Sequence, residues 1–160
     1  MSAEFDCIAS HLDYPMVIVT AASGQERSGC LVGFSTQCSI KPPRYLVCIS
    51  KANHTYGVAA QAEGLVVHFP TAAESGLAAL FGSETGDEVD KFSRCVWQPG
   101  PSGAPVLDGV KRWFAGRVRE QVDLGDHVGF VLDVGDAACA GDDPPLGFQS
   151  VRDLPPGHPA

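Results

Sequence analysis

SGCLVGFSTQCSIKPPRYLVCISKANHTY, residues 28–56, decides how this chain reads. Residues 29–39 alternate with period two, placing Cys30, Val32, Phe34 and Cys38 on one face and Leu31, Gly33, Ser35, Gln37 and Ser39 on the other. That is the pattern of a β-strand. Pro42-Pro43 ends it, because proline donates nothing to a ladder. Residues 44–50, RYLVCIS, then predict a returning strand. Gly33-Phe34-Ser35-Thr36 puts a glycine and two hydroxyls in mid-strand, and an interior glycine often marks close approach by a ligand or another backbone. Further on, Ser50-Lys51-Ala52-Asn53-His54-Thr55 stands where a strand runs into an alanine-rich, helix-like stretch, 55–63. A hydroxyl, an ammonium, an amide and free N–H groups there either converge on one anion, such as a phosphate, or simply cap the helix.

Working outward, Val, Ile, Phe and Tyr cluster in further strand signals at 15–20, 64–69, 113–122 and 127–134, giving six strands in all. The turn Ala21-Ala22-Ser23-Gly24 closes the first. In the last, Val128, Phe130, Leu132 and Val134 share one face. A second short helix is expected at 72–81, and 83–109 reads as loop. The last 20 residues hold five of the twelve prolines. Residues 141–160 are therefore expected to be an extended or disordered tail to a domain of residues 1–140, unless Leu146 and Phe148 dock onto a partner surface. Strands and helices do not alternate regularly, which argues against a doubly wound parallel sheet. A closed or partly open antiparallel barrel fits better.

One domain is the default for 160 residues and 16.8 kDa. The net charge of −8 argues against a nucleic-acid partner, whose phosphates are met by Lys and Arg, and against an anionic membrane surface. The start, MSAEFDCIASHLDYP, has no positive region followed by an apolar one, so no secretory signal is read there. No apolar run approaches the ~20 residues that span a bilayer. The six cysteines show no CxxC and no His-paired zinc spacing. They read as reduced thiols of a cytoplasmic protein, with Cys30, Cys38 and Cys48 as small buried hydrophobes in strands. No GxGxxG, GxxxxGK, HExxH or GxSxG occurs, so a nucleotide-type ligand would not sit on a Rossmann turn.

The order of the pieces resembles the flavin reductase-like, FMN-binding split barrels over roughly residues 12–140. PMVIVTAASG is similar to that family's first strand and turn, and SGCLVGFSTQCSIKPPRYLVCISK to its long flavin-contacting strand and return. NHTY resembles the phosphate-contacting helix start, LVVHF the next strand, LAALFG with DKF the covering helix and loop, and GDHVGFVLDV the closing strand. The resemblance implies a mainly β, six-stranded antiparallel (Greek-key) split barrel with short flanking helices. It implies that Gly33, Phe34, Ser35 and Thr36 line the isoalloxazine and ribityl. Ser50, Lys51, Asn53 and Thr55 would hold the phosphate of FMN, FMN being expected over FAD. Leu31, Val32 and Gly33 stand where the family has small polar residues, and Lys41 where it often has an acid.

The implied activity is an NAD(P)H-dependent flavin oxidoreductase, paired as a homodimer and able to supply reduced flavin to a monooxygenase partner. The alternatives are a non-catalytic FMN carrier or sensor, and a split barrel holding haem or a deazaflavin. His127, after Gly125-Asp126, is either the residue beside the docked nicotinamide or a surface histidine at a strand start. Lys91 and Phe92 are either cofactor contacts, as the family pattern implies, or part of a solvated acidic run, Asp87-Glu88-Val89-Asp90. Trp113 either covers a flavin or packs in a core or dimer interface. His68 reads as a satisfied, half-buried histidine.

Overall fold

The computed structural model describes residues 2–83 and 90–154. The acidic stretch Asp87-Glu88-Val89 and the last six residues lie outside the described residues. In chain order, α1 (Ala3–His11) precedes β1 (Val17–Ser23), β2 (Glu26–Val32), β3 (Ser35–Ser39) and β4 (Arg44–Ser50). Next come α2 (His54–Ala59), β5 (Gly64–His68) and α3 (Ser75–Ser83). A ribbon of β6 (Trp97–Pro99) and β7 (Pro105–Leu107) leads into the long pair β8 (Trp113–Asp123) and β9 (His127–Ala138). The fold is mainly β, with a few short helices. No helix among the described residues is long and apolar enough to cross a membrane.

Among the described residues, seven strands form one antiparallel sheet in the order β2-β1-β5-β8-β9-β4-β3. The expectation of six strands is corrected here, because the single strand read at 29–39 is two. Val32 pairs with Val17 of β1, whereas Ser35 pairs with Val47 of β4. Apolar alternation runs unbroken through the join, since the side-chain period says nothing about which neighbour a strand pairs with. The ladder is not closed either, for β2 and β3 are the sheet's two edges. Only Gly33 and Phe34 separate those edges in sequence, and three residue steps reach about 11 Å at most. The sheet therefore curls until its edges stand side by side at this crossing.

β1 is buried along both faces, which explains its unbroken apolar run. Val17 and Val19 face the main core with Val47, Leu65 and Phe130, and α2 adds Val58 and Ala59 to it. Ile18 faces a second core with Phe81, Phe92 and Leu107, beneath α3 and the β6–β7 ribbon. His68 is fully buried between the layers, not half-buried. Its ring bonds the Ile18 carbonyl through Nδ1 (3.0 Å), and its Nε2 accepts the Leu107 N–H (2.9 Å). One ring thus ties the sheet to the ribbon.

The stretch read as loop at 83–109 contains this ribbon and a 3₁₀ turn at Lys91–Ser93. Its strands are too short, and too rich in Gly and Pro around them, to show a period. No periodicity before residue 15 announces an element, yet a helix stands there. This α1 starts on Ser2, whose hydroxyl accepts the Phe5 N–H, with Glu4 and Asp6 in its first turn. Among the cysteines Cys30 is buried as expected, but Cys38 is exposed on the edge strand β3 and Cys48 is half-buried.

Candidate functional site

A cavity of about 440 Å³ opens at the crossing between β2 and β3, within the ~300–1,000 Å³ usual for small-molecule sites. Met16, Leu31, Val32 and Phe34 give it an apolar wall, and Tyr14 and Phe148 add two more rings. Ser50, Asn53, Asp126 and His127 bring polar groups to it from the end of β4, the cap of α2 and the start of β9. β4 and β9 are adjacent, with Ser50 opposite His127 in register. A second hollow, about 610 Å³, lies beside the β8–β9 pair among Glu63, Ser102, Arg117, Asp133 and Asp136. It has charge but no broad apolar wall, so it suits a planar ring less well.

Gly33 has no room for a side chain. A Cβ there would stand 2.7 Å from the Tyr14 ring and 3.4 Å from the Met16 sulfur. The close approach expected at this glycine is thus made by Tyr14. Phe34, half exposed at 54%, tilts its ring over His127 at 5.1 Å between centroids. Its carbonyl accepts the Cys48 N–H at 2.9 Å. The Asp126 carboxylate bonds Nδ1 of His127 at 2.7 Å, which leaves Nε2 as the nitrogen for other partners. That bond also holds Asp126 below the usual carboxylate range. The turn carrying both residues is pinned to β4 by the Lys51 N–H on the Asp126 carbonyl.

The remaining sequence-predicted positions divide. Gly33, Phe34, Ser50, Asn53 and His127 meet at the cavity. Ser35 does not line it, and its hydroxyl bonds the Tyr45 hydroxyl at 2.9 Å. Thr36 is exposed on β3 and bonds the neighbouring Gln37 carbonyl. Lys51 reaches Asp123 at 3.0 Å. The Gly125 N–H, together with Lys51, lowers the Asp123 pKa. Asn53 caps α2 by accepting the Thr55 N–H at 2.9 Å, so the capping role weighed above is what its side chain performs here. Thr55 is buried, with its hydroxyl 2.8 Å from that of Ser28.

Lys91 and Phe92 stand apart from the cavity lining. Lys91 is buried and donates to the carbonyls of Gly29 (2.9 Å) and Phe81 (3.1 Å). Phe92 packs against Phe81 and Trp97 in the second core. The physical reason is that α3 and the ribbon need an inner anchor, which this Lys-Phe pair supplies. Trp113 packs against the small cluster of Val66, Ala104 and Ala115.

Sequence reasoning missed Tyr14, Met16, Cys48 and the role of Asp126. Phe148 was singled out only as a docking residue of the tail. Its docking surface is the chain's own segment before β1: Leu146 is buried, and the Phe148 N–H bonds the Tyr14 carbonyl. Burial raises the Cys30 thiol to about 11, against the opposite pull of Thr55 and Lys91. It raises Cys48 too. The cavity thiols are therefore protonated at neutral pH and poor nucleophiles. The site offers an apolar wall, hydroxyl and amide groups, and one oriented imidazole.

Comparison with known proteins places the chain among its relatives. The chain is 28% identical over 127 residues to the FMN reductase (NADH) RutF of Klebsiella pneumoniae, an alignment covering 78% of this chain and 76% of that one. It is 28% identical over 114 residues to the stachydrine N-demethylase reductase subunit Stc3 of Rhizobium meliloti, covering 69% of this chain. The chain spans about half the length (48%) of that subunit. In fold it matches a flavin reductase domain protein from Arthrobacter sp. FB24 with a TM-score of 0.84 at 19% identity, over 94% of this chain and 92% of that one. The family model described as flavin reductase like domain matches residues 9–154, and the chain belongs to that family.

Proposed function

We propose that the cavity at the β2–β3 crossing holds a flavin mononucleotide and that the protein is an NAD(P)H-dependent flavin reductase. The observation that carries this is the cavity itself, where an apolar wall and the Ser50–Asn53–His127 group meet in a chain of this family. The donor set fits a flavin. A planar tricycle needs an apolar slot, supplied by Leu31, Val32 and Phe34, and a hydroxylated chain needs short polar partners, supplied by Ser50 and Asn53. A bound flavin supplies an acceptor for the hydride of a reduced nicotinamide.

The protein's own part is binding and alignment. Phe34 and His127 form one wall, and the Asp126 carboxylate fixes the imidazole so that its Nε2 can bond a nicotinamide carboxamide. Holding two rings at reacting distance is worth much of the barrier by itself. No protein acid or base would be required of these residues; their part would be to hold and orient the two rings. A cavity without thiolate or paired carboxylates suits that chemistry.

We take the domain to run through residue 154, with the sheet curled into a split barrel and the segment from Leu146 onward as part of it. We also propose a homodimer. α1 buries none of its residues, and Phe5, Ile8 and Leu12 form an exposed apolar stripe on and just after it at 60%, 60% and 52% exposure. A second copy covering this stripe accounts for it. The reduced flavin would then pass to a separate monooxygenase in a cytoplasmic setting. Visible-absorbance titration with FMN, followed by anaerobic NADH and NADPH, tests the reading. Saturable FMN binding and bleaching of the flavin band are expected, and absence of flavin binding refutes it.

A further inference from the structure

The chain between β9 and residue 154 is strapped across the segment that precedes β1. The Met16 N–H bonds the Leu146 carbonyl (2.8 Å), the Leu146 N–H bonds the Pro70 carbonyl (2.8 Å), and the Phe148 N–H bonds the Tyr14 carbonyl (2.9 Å). The Gln149 N–H bonds the Asp13 carboxylate (3.0 Å), and its side-chain amide donates to the carbonyls of Ser10 and Leu12. Leu146 is buried as the strap's apolar anchor. Gly147 fits tightly, for a Cβ on it would lie 2.5 Å from the Asp13 carboxylate.

These bonds give Phe148 a fixed place. Its ring stacks on Tyr14 with centroids 4.8 Å apart and planes inclined by 22°, yet it is only half-buried and lines the cavity. Tyr14 in turn lies 6.0 Å from Phe34, and Phe34 lies 5.1 Å from His127. Four rings thus run from the strap to the start of β9. A ring needed only for packing would be expected to bury itself as Phe81 and Phe130 do. Aromatic surface left facing a cavity is a stacking platform for another planar ring.

We infer that Phe148 is the outer stacking wall for the flavin ring, and that the strap carrying it sets how long the flavin stays bound. This rests on the flavin reading of the cavity. A platform on a strap held by backbone hydrogen bonds, unlike one on a sheet strand, leaves with the strap. Flavin exit then requires parting of the bonds between residues 146–149 and 10–16.

The test is the rate of FMN release after rapid dilution of FMN-loaded protein, read as recovery of free-flavin fluorescence. Phe148→Ala should release FMN roughly 10-fold faster than wild type, the size of one lost ring–ring stack, with association little changed. Phe148→Leu keeps apolar bulk without the ring and should behave like Phe148→Ala, whereas Phe148→Trp should release slowly. Gly147→Ala leaves the ring chemistry intact but pushes the strap off Asp13, and should speed release as well. Wild-type binding of FMN with unchanged release in Phe148→Ala, Phe148→Leu and Gly147→Ala overturns this inference alone. A wild-type protein that binds no flavin overturns the parent reading and this one with it.

Discussion

Phe34, at the crossing between the two edges of the sheet, lies ring against ring with His127, at the start of β9, with 5.1 Å between centroids. The contact joins the residue at which the chain changes edges to the residue proposed above to meet a nicotinamide. Its origin is topological. Curling brings β3, paired with β4, beside β2, and β9 lies on the other side of β4. Phe34 and His127 therefore reach the cavity from either side of the β4 end.

Gly33 is the hinge of this arrangement, so Gly33→Ala should be costly. Its Cβ would come within 2.7 Å of the Tyr14 ring, and that ring is backed by Phe148 and cannot yield freely. Denaturant unfolding should show a loss of about 1–3 kcal/mol, the usual range for overpacking. FMN titration should show weaker binding, because Tyr14 is displaced into the cavity it lines. Unchanged stability would mean that the close packing at Gly33 is not a constraint.

Asn53 and Lys51, which looked equivalent in sequence, should behave differently. Asn53→Ala removes the α2 cap and a cavity group together. It should cost ~0.5–2 kcal/mol of stability and weaken FMN. Lys51→Ala breaks an exposed, solvent-screened pair with Asp123, a type that contributes little to stability, at a residue that does not line the cavity, so both quantities should change little. Urea melts and FMN titrations on the two variants check this. A large loss of FMN affinity in Lys51→Ala would restore the lysine to the phosphate site.

His68 should make stability fall in mild acid. Burial lowers its folded pKa from 6.5 to about 4, so the unfolded chain takes up the proton first as pH falls. The stabilising contribution is complete above the unfolded value near 6.5. It is lost progressively as pH drops toward about 4, where the folded ring also protonates. The shift corresponds to ~3 kcal/mol at 1.36 kcal/mol per pKa unit. Protonation also removes the Nε2 lone pair that accepts the Leu107 N–H. Unfolding free energies between pH 7 and pH 4 should show this slope, and His68→Gln should flatten it. An equal slope in both proteins would assign the acid sensitivity to other groups.

Much of the sheet was legible in the sequence, because period-two runs such as 44–50 and 127–134 carry their own register of faces. The crossing was not. Val32, Gly33 and Phe34 continue the alternation of a single strand, and only the pairing partners reveal the break. Of the cavity lining, Gly33, Phe34, Ser50, Asn53 and His127 drew notice in the sequence because they sit in one informative stretch and one turn. Tyr14 and Phe148 were not assigned to it, since they come from the two ends of the chain and meet only through hydrogen bonds between those ends. Lys91 and Phe92 looked like cofactor contacts, yet the need of the second core for an anchor is invisible without the ribbon that covers it.

The most direct test of the central claim is anaerobic stopped-flow reduction of FMN-loaded protein by NADH, comparing wild type with His127→Asn at matched flavin occupancy. Rapid bleaching of the flavin band is expected in wild type. The variant's rate should be ~10- to 100-fold lower, since an interaction that positions the reacting ring controls much of the proximity advantage. FMN occupancy should hardly change, because Phe34, Ser50 and Asn53 remain. A wild-type protein that fails to speed flavin reduction, or a variant that matches wild type at full occupancy, would contradict it.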